Sequence, residues 1–175
     1  MSDILARTRA LLATTPDRWH ALAAAADADL LRRAPARGEW SALECLQHLL
    51  DTEDHVFPVR VRAFLAGEDF PGFDPDAQGT LVGEVEDAPA MAERFARDRA
   101  ASLELLAGVT AADLSRTARH ADLGIVTLDE MLHEWVGHDL CHVVQAERAL
   151  VQPFVAGSGP WRSYFADHDV EATHA

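Results

Sequence analysis

Apolar residues recur at helical spacing in four stretches of this 175-residue chain. Clusters of Pro, Gly and Asp separate the stretches, and none of them shows the sustained apolar–polar alternation that is typical of β-strands. Apolar residues make up 49% of the sequence, which is enough to bury one sizeable core. We therefore predict an all-α fold, a four-helix bundle that forms a single domain over residues 1–175.

Residues that typically begin a helix predict where the first two helices lie. The first stretch covers about residues 3–27, and Pro16 is expected to kink or break it. Ser41 and Glu44 have the spacing of a capping box, which predicts a second helix that continues to about Leu65. Residues 67–83 are rich in Gly, Pro and Asp, so we expect a long crossover loop between helices 2 and 3 that covers one end of the bundle.

The second half of the chain has equally clear boundaries. Ala88 and Pro89 open a third helix that should reach about residue 107, and Thr110 is expected to cap a short turn. Thr127 and Glu130 have capping-box spacing, which predicts a fourth helix to about residue 150. Pro153 should end the helical pattern, and residues 153–175 are predicted to be a docked or loose C-terminal tail, docking through Trp161, Tyr164 and Phe165.

Charge and composition restrict the partners and the location. The net charge is −14, with 29 acidic against 15 basic residues, so the surface should repel nucleic acid. The N-terminus lacks signal-peptide features and no 18-residue apolar run occurs, which predicts a soluble cytoplasmic protein without a membrane partner. Two distant cysteines, Cys45 and Cys141, are interpreted as small buried fillers rather than a disulfide. A homodimer is left open.

A pair of histidines in the fourth helix carries the clearest chemistry. His138 and His142 are four residues apart, so their rings project about 40° from each other on one helix face and can share a metal ion. A retained ion generally needs a third protein ligand, because two imidazoles make a weak site. His48, flanked by leucines in the second helix, is the best candidate, since bundles build metal sites from facing helices.

Two common metal sites do not fit the residues. A zinc protease needs His-Glu-x-x-His, but Asp139 follows His138. A ferritin-like di-iron site needs Glu-x-x-His pairs on two helices, and the chain contains none.

Two segments resemble the DinB-like superfamily of metal-binding four-helix bundles. The first is Trp40-Ser41-Ala42-Leu43-Glu44-Cys45-Leu46-Gln47-His48-Leu49, followed by Asp51 and Glu53. The second is Gly124 with Val126-Thr127-Leu128, then His138-Asp139-Leu140-Cys141-His142 and Gln145. This resemblance covers most of the chain and implies one divalent ion on His48, His138 and His142.

The resemblance is less specific about activity. The superfamily includes thiol-dependent S-transferases, mycothiol-dependent isomerases and a toxin-opening hydrolase, so it implies a small-molecule substrate and, for the transferases, a low-molecular-weight thiol. An ion with an open position generates a nucleophile from water or a thiol at neutral pH. Thiolate delivery is slightly favoured by the resemblance alone. Zinc, nickel, iron and manganese all suit a His-rich site.

Neighbouring residues are candidates for supporting roles. Glu134, four residues before His138, is our candidate catalytic carboxylate, while Asp51 could orient a ligand from the other helix. His55 lies two turns from His48 and could line the pocket or its rim, whereas His133 should point away. Cys45 and Cys141 could also approach the ion, although buried fillers are the preferred interpretation.

Three functions remain open from sequence. The first is a metal-dependent transferase or hydrolase that acts on a small electrophile in stress or detoxification. The second is a binding protein that sequesters a metal or metabolite without turnover, and the third is a structural bundle with a vestigial site. A cavity that reaches the metal would distinguish the first from a sealed structural site.

Overall fold

The computed structural model describes residues 4–73 and 87–170. The helices are α1 (Ile4–Leu12), α2 (Thr15–Ala25), α3 (Ala28–Leu31), α4 (Ala42–His55), α5 (Phe57–Ala66), α6 (Ala88–Ala107) and α7 (Leu128–Gly157). Between α6 and α7 lie a 3₁₀ turn (Asp113–Ser115) and the strands β1 (Thr117–His120) and β2 (Gly124–Thr127); a second 3₁₀ segment (Gly159–Phe165) follows α7.

The helices pack as a bundle in which α4 lies against both α6 and α7. Helix α2 packs on α6, and α1 packs on α7, so the broken first segment closes the remaining side. One buried apolar cluster includes Phe57, Phe64 and Trp135, and a second includes Trp19 and Phe95. The mainly helical, four-helix prediction is confirmed.

Local signals fixed most helix starts correctly. Pro16 lies in the first turn of α2, where backbone N–H groups have no hydrogen-bond partner within the helix, so the N–H that proline lacks is not needed. The first segment breaks there as predicted. Ser41 and Glu44 form a complete capping box at α4, and Thr127 with Glu130 forms another at α7. Each box satisfies backbone N–H groups that the helix itself leaves unpaired.

The predicted second helix is interrupted at Val56, which corrects the continuous helix expected to Leu65. Pro58 lies in the first turn of α5. Inside a continuous helix its ring would clash with the carbonyl of Asp54 and remove one hydrogen bond, so the chain restarts instead.

Helix α7 continues past Pro153 to Gly157, so the predicted end near residue 150 is wrong. A proline removes only one backbone hydrogen bond, and tertiary contacts keep the next turn helical. Val155, in that turn, is 2% exposed in the core.

The described part of the tail, to Val170, lies against the end of α7. The Gln152 side chain donates to the carbonyl of His168 at 2.9 Å and accepts from the N–H of Val170 at 3.2 Å. Arg162 pairs with Asp169 within the tail. The three tail aromatics expected to dock are instead exposed: Trp161, Tyr164 and Phe165.

A two-stranded antiparallel hairpin precedes α7, and the sequence did not predict it. Its strands have only four residues each, too few for a visible alternation pattern. His120 pairs with Gly124 in the hairpin and also forms a parallel bridge with Phe70, so the start of the crossover segment runs beside β1. Residues 74–83 of the predicted loop lie outside the described residues.

Within residues 4–73 and 87–170, no helix combines the length and apolarity that a membrane span requires.

Candidate metal centre

Three histidines from two helices converge at the interface between α4 and α7. His48 lies on α4, while His138 and His142 are one turn apart on α7. One ring nitrogen from each lies within 4.8 Å of the others. The Nε2 atoms of His48 and His138 are 2.9 Å apart.

This donor set fits a metal ion. Two nitrogens that each lie about 2.0–2.1 Å from one ion are about 2.9 Å apart at right angles and about 3.4 Å apart in a tetrahedral site, so the observed Nε2 separation is close to that of two ligands of one ion. The Nε2 atom of His138 points at His48, while its other ring nitrogen, Nδ1, is buried without a hydrogen-bond partner among the described residues. Three imidazoles also satisfy the minimum number of protein ligands in catalytic zinc sites.

Partners outside the cluster hold the rings in place. Gln145 Oε1 lies 3.0 Å from His142 Nδ1, and because an amide oxygen only accepts, this contact assigns the proton to Nδ1 and leaves Nε2 free as a ligand. Trp40 stacks on His142 with ring centroids 5.6 Å apart. Phe57 contacts the His138 ring edge-on at 5.1 Å.

The cluster favours neutral imidazoles, the form that binds metals. Burial lowers the pKa of His48 to about 4, with a contribution from the charge of His142. Burial likewise lowers the pKa of His138 to about 3, assisted by the charges of the other two histidines and of nearby arginines. The pKa of His142 is also lowered, chiefly by burial. At neutral pH, these nitrogens carry lone pairs rather than protons that an ion must displace.

A buried ion-pair network supports the α7 side of the cluster. Asp139, directly after His138, accepts from Arg99 Nη1 at 2.7 Å and from Nη2 at 2.9 Å. Arg99 on α6 also donates to Glu53 on α4 at 2.9 Å and to Thr15 on α2 at 3.0 Å. The network therefore joins four helices beside the histidines. This explains why Asp139 occupies the position that would carry a protease's glutamate.

The histidines open into a cavity of about 480 Å³, a size that suits a small molecule. Most of its wall is apolar. The apolar lining residues are Trp40, Val56, Phe57, Phe70, Phe73, Leu123, Val126 and Met131.

One part of the cavity wall is polar, formed by Arg60 on α5, His120 on β1 and Glu134 on α7. Arg60 Nη1 is 3.5 Å from Glu134 Oε2, and Arg60 Nη2 is 3.3 Å from His120 Nε2. The Arg60 guanidinium also lies 5.3 Å from the centre of the Phe70 ring. Burial raises the pKa of Glu134, while the Arg60 charge opposes that rise.

The predicted supporting residues divide between the cavity and the surface. Glu134 lines the cavity, with its side chain 50% exposed. Asp51 instead accepts from Gln47 at 2.9 Å, and His55 is exposed; neither lines the cavity. His133 is exposed and contacts the carbonyl of Asp129, so it points away from the cluster as expected.

The two cysteines differ from each other. Cys45 is fully buried, and burial raises its pKa to about 12, which suits the predicted apolar filler. Cys141 is exposed, so the filler interpretation is wrong for it: its position on α7 faces a surface groove rather than the core. Trp19 and Trp135 are both buried in the core.

Sequence reasoning missed Arg60, His120 and the Arg99 network. A signal for Arg60 existed, because it lies three residues after Phe57 and four before Phe64, on the helix face that these apolar residues share, unlike the neighbouring Arg62. His120 gave no local signal, since its position depends on a short hairpin. Arg99 looked like one more surface charge on α6.

Comparison with known proteins places these features in context. A model of the DinB superfamily matches residues 11–146. YfiT from Bacillus subtilis, described as a probable metal-dependent hydrolase with an unusual four-helix bundle topology, superposes with a TM-score of 0.71 at 18% identity, covering 85% of this chain and 87% of that chain.

A DinB-like protein from Bacillus subtilis, YjoA, superposes with a TM-score of 0.56 at 19% identity, covering 82% of this chain and 90% of its own. At these identities the two likenesses demonstrate a shared fold. No curated protein sequence matches the chain.

Proposed function

The chain belongs to the DinB superfamily, and on that premise we propose that it is a metal-dependent enzyme that acts on a small electrophilic molecule. His48, His138 and His142 are the proposed ligands of one divalent ion, which is zinc, nickel, iron or manganese. The substrate binds in the adjoining cavity.

A single observation carries this proposal: the three imidazoles face a cavity instead of being sealed in the core. A purely structural metal site is closed by its protein ligands, whereas a catalytic site keeps a position for water or substrate. Three neutral nitrogens beside an accessible volume of about 480 Å³ match the second arrangement.

The chemistry follows from the ion and from the groups around it. A bound divalent ion supplies a nucleophile at neutral pH, either a water with its pKa lowered to about 7 or a thiol held as thiolate. The description of YfiT as a probable metal-dependent hydrolase supports water, and a low-molecular-weight thiol is the competing nucleophile. The apolar walls would exclude bulk water from the electrophile.

Glu134 is the proposed catalytic carboxylate. It lines the same cavity as the histidines, and burial raises its pKa, which favours the uptake and return of a proton. Arg60 Nη1 lies 3.5 Å from this half-exposed carboxylate and attracts it toward the cavity.

The first test is metal analysis of untagged protein. Wild type should retain a single ion per chain, and His138→Ala and His142→Ala should each lose most of it, because two imidazoles hold an ion weakly. His133→Ala is the matched control, since this histidine is exposed on the same helix. Unchanged metal content in both cluster variants would refute the site.

Turnover is tested on the metal-loaded protein with model electrophiles, with and without added thiols. Product formation that depends on the thiol identifies a transferase, while thiol-independent product identifies a hydrolase. Glu134→Gln should lower the rate about a hundredfold without changing metal content. A loaded protein that binds electrophiles but never converts them would be a binding protein, which overturns the enzymatic proposal.

A further inference from the structure

Arg60 is a buried charge in a largely apolar cavity. Its side chain is only 10% exposed, and burial lowers its pKa, with Glu134 opposing that effect. Placing a guanidinium there is costly unless good hydrogen bonds compensate for the lost water. Its contacts to described neighbours at 3.3 Å and 3.5 Å are long for charge-assisted hydrogen bonds, which are typically about 2.7–2.9 Å.

The contact between Arg60 and His120 is not a hydrogen bond. His120 Nδ1 accepts the backbone N–H groups of Asp122 at 3.1 Å and Leu123 at 3.3 Å, so this nitrogen carries a lone pair. A neutral imidazole with an unprotonated Nδ1 carries its proton on Nε2. The guanidinium of arginine has only N–H donors and no acceptor. Arg60 Nη2 and His120 Nε2, which are 3.3 Å apart, are therefore two donors side by side without a shared acceptor.

Glu134 does not supply that acceptor. Its carboxylate contacts the other terminal nitrogen, Nη1, and is half-exposed. The Nη2 and His120 donors thus remain available to a group that enters the cavity. The Arg60 Cζ atom lies 5.3 Å from the centre of the Phe70 ring, a cation–π distance that favours this placement of the guanidinium.

We propose that Arg60 and His120 bind a carboxylate of the substrate, which makes the substrate class small molecules with an apolar body and a carboxylate. A carboxylate is a planar acceptor that bridges adjacent donors, and arginine matches it better than lysine does. The aromatic walls around Phe57 and Phe73 suit the apolar body. This inference names the substrate class of the proposed function. It rests on that function for the reaction, whereas the binding of a carboxylate does not depend on it.

Calorimetry with two matched probes tests the inference. The probes are 3-phenylpropionate and its neutral amide, titrated into metal-loaded protein and into chelator-treated protein. Wild type should prefer the carboxylate by about tenfold to a hundredfold in both forms, the usual range for a hydrogen bond to a charged group. Arg60→Met should abolish the preference. Arg62→Met, an exposed position on the same helix, is the control and should leave the preference intact.

A second variant protects the test against misfolding. If Arg60→Met does not fold, His120→Phe removes one donor and should reduce the preference by a smaller factor. No preference in wild type would overturn the inference. A preference that requires metal and survives Arg60→Met would also overturn it, because the carboxylate would then bind the ion. Metal content is measured separately, so loss of the ion with an intact Arg60-dependent preference would refute only the enzymatic proposal.

Discussion

At the scale of single residues, the ligand atoms are set by what the other ring nitrogen contacts. Gln145, one helical turn from His142, holds the proton on Nδ1 through a 3.0 Å hydrogen bond. The ring thus presents Nε2 to the cluster, and because its orientation is already fixed, it loses little rotational freedom when a metal ion binds. Such partners fix the tautomer and orientation of a metal-ligating histidine, and metal affinity depends on them.

Replacing this partner should weaken the site without removing a ligand. Gln145→Leu should lower metal affinity about 10–100-fold, measured by competition with a chromogenic chelator. Gln47→Leu is the matched control, because Gln47 adjoins His48 in sequence but its side chain contacts Asp51 outside the cavity. Equal losses in the two variants would contradict the orienting role of Gln145.

At the scale of secondary-structure elements, the interruption at Val56 shapes the cavity. In one uninterrupted helix, His48 and Arg60 would be 12 residues apart and would point about 120° away from each other. Because Pro58 forces a new start, both side chains line the same cavity. The helix break is therefore part of how the site is assembled.

The Arg99 network connects the elements that carry the ligands. Arg99→Met should lower the free energy of unfolding by about 3–5 kcal/mol, because Glu53 and Asp139 would stay buried without their partner. Chemical denaturation measures the change. Arg94→Met on the same helix is the control: its ion pair with Asp54 is partly exposed and should contribute less than about 1 kcal/mol. A similar small loss in both variants would contradict the network's role.

At the scale of the whole molecule, the buried histidines link folding to pH. In the unfolded chain these imidazoles take up protons near pH 6.5, whereas the folded pKa values of His48 and His138 are about 4 and about 3. The unfolded state therefore binds more protons below pH 6.5. The two neutral imidazoles therefore make their full contribution to the free energy of unfolding above pH 6.5, and this contribution declines as the pH falls toward 4.

This linkage predicts a specific pH profile for metal-free protein. As the pH falls from 6.5 to 4, His48 and His138 should each lower the free energy of unfolding by up to about 1.4 kcal/mol per pH unit. His138→Gln should flatten the profile, while His20→Gln, at an exposed position on α2, should not. Parallel profiles for wild type and His138→Gln, measured by urea titration at several pH values, would argue against the linkage.

The helical class, most helix starts and the histidine cluster could be predicted from the sequence. These depend on interactions within a few residues: a proline in a first turn, a Ser41–Glu44 capping box, or the one-turn spacing of His138 and His142. His48 was the best candidate for the third member because bundles build shared sites from facing helices, and the family resemblance implied the same three residues; the structure brings its ring to the other two.

The polar wall of the cavity could not be predicted from the sequence, because it forms where distant elements pack together. Arg60 and His120 are 60 residues apart in sequence, and their approach depends on the helix break together with the hairpin. Which ring nitrogen of His120 carries the proton follows from two backbone N–H groups in its own turn that are directed at Nδ1, and no side-chain pattern in the sequence encodes this. Local hydrogen bonds can be read from neighbouring residues, but a pair of donors without an acceptor exists only where distant elements pack together.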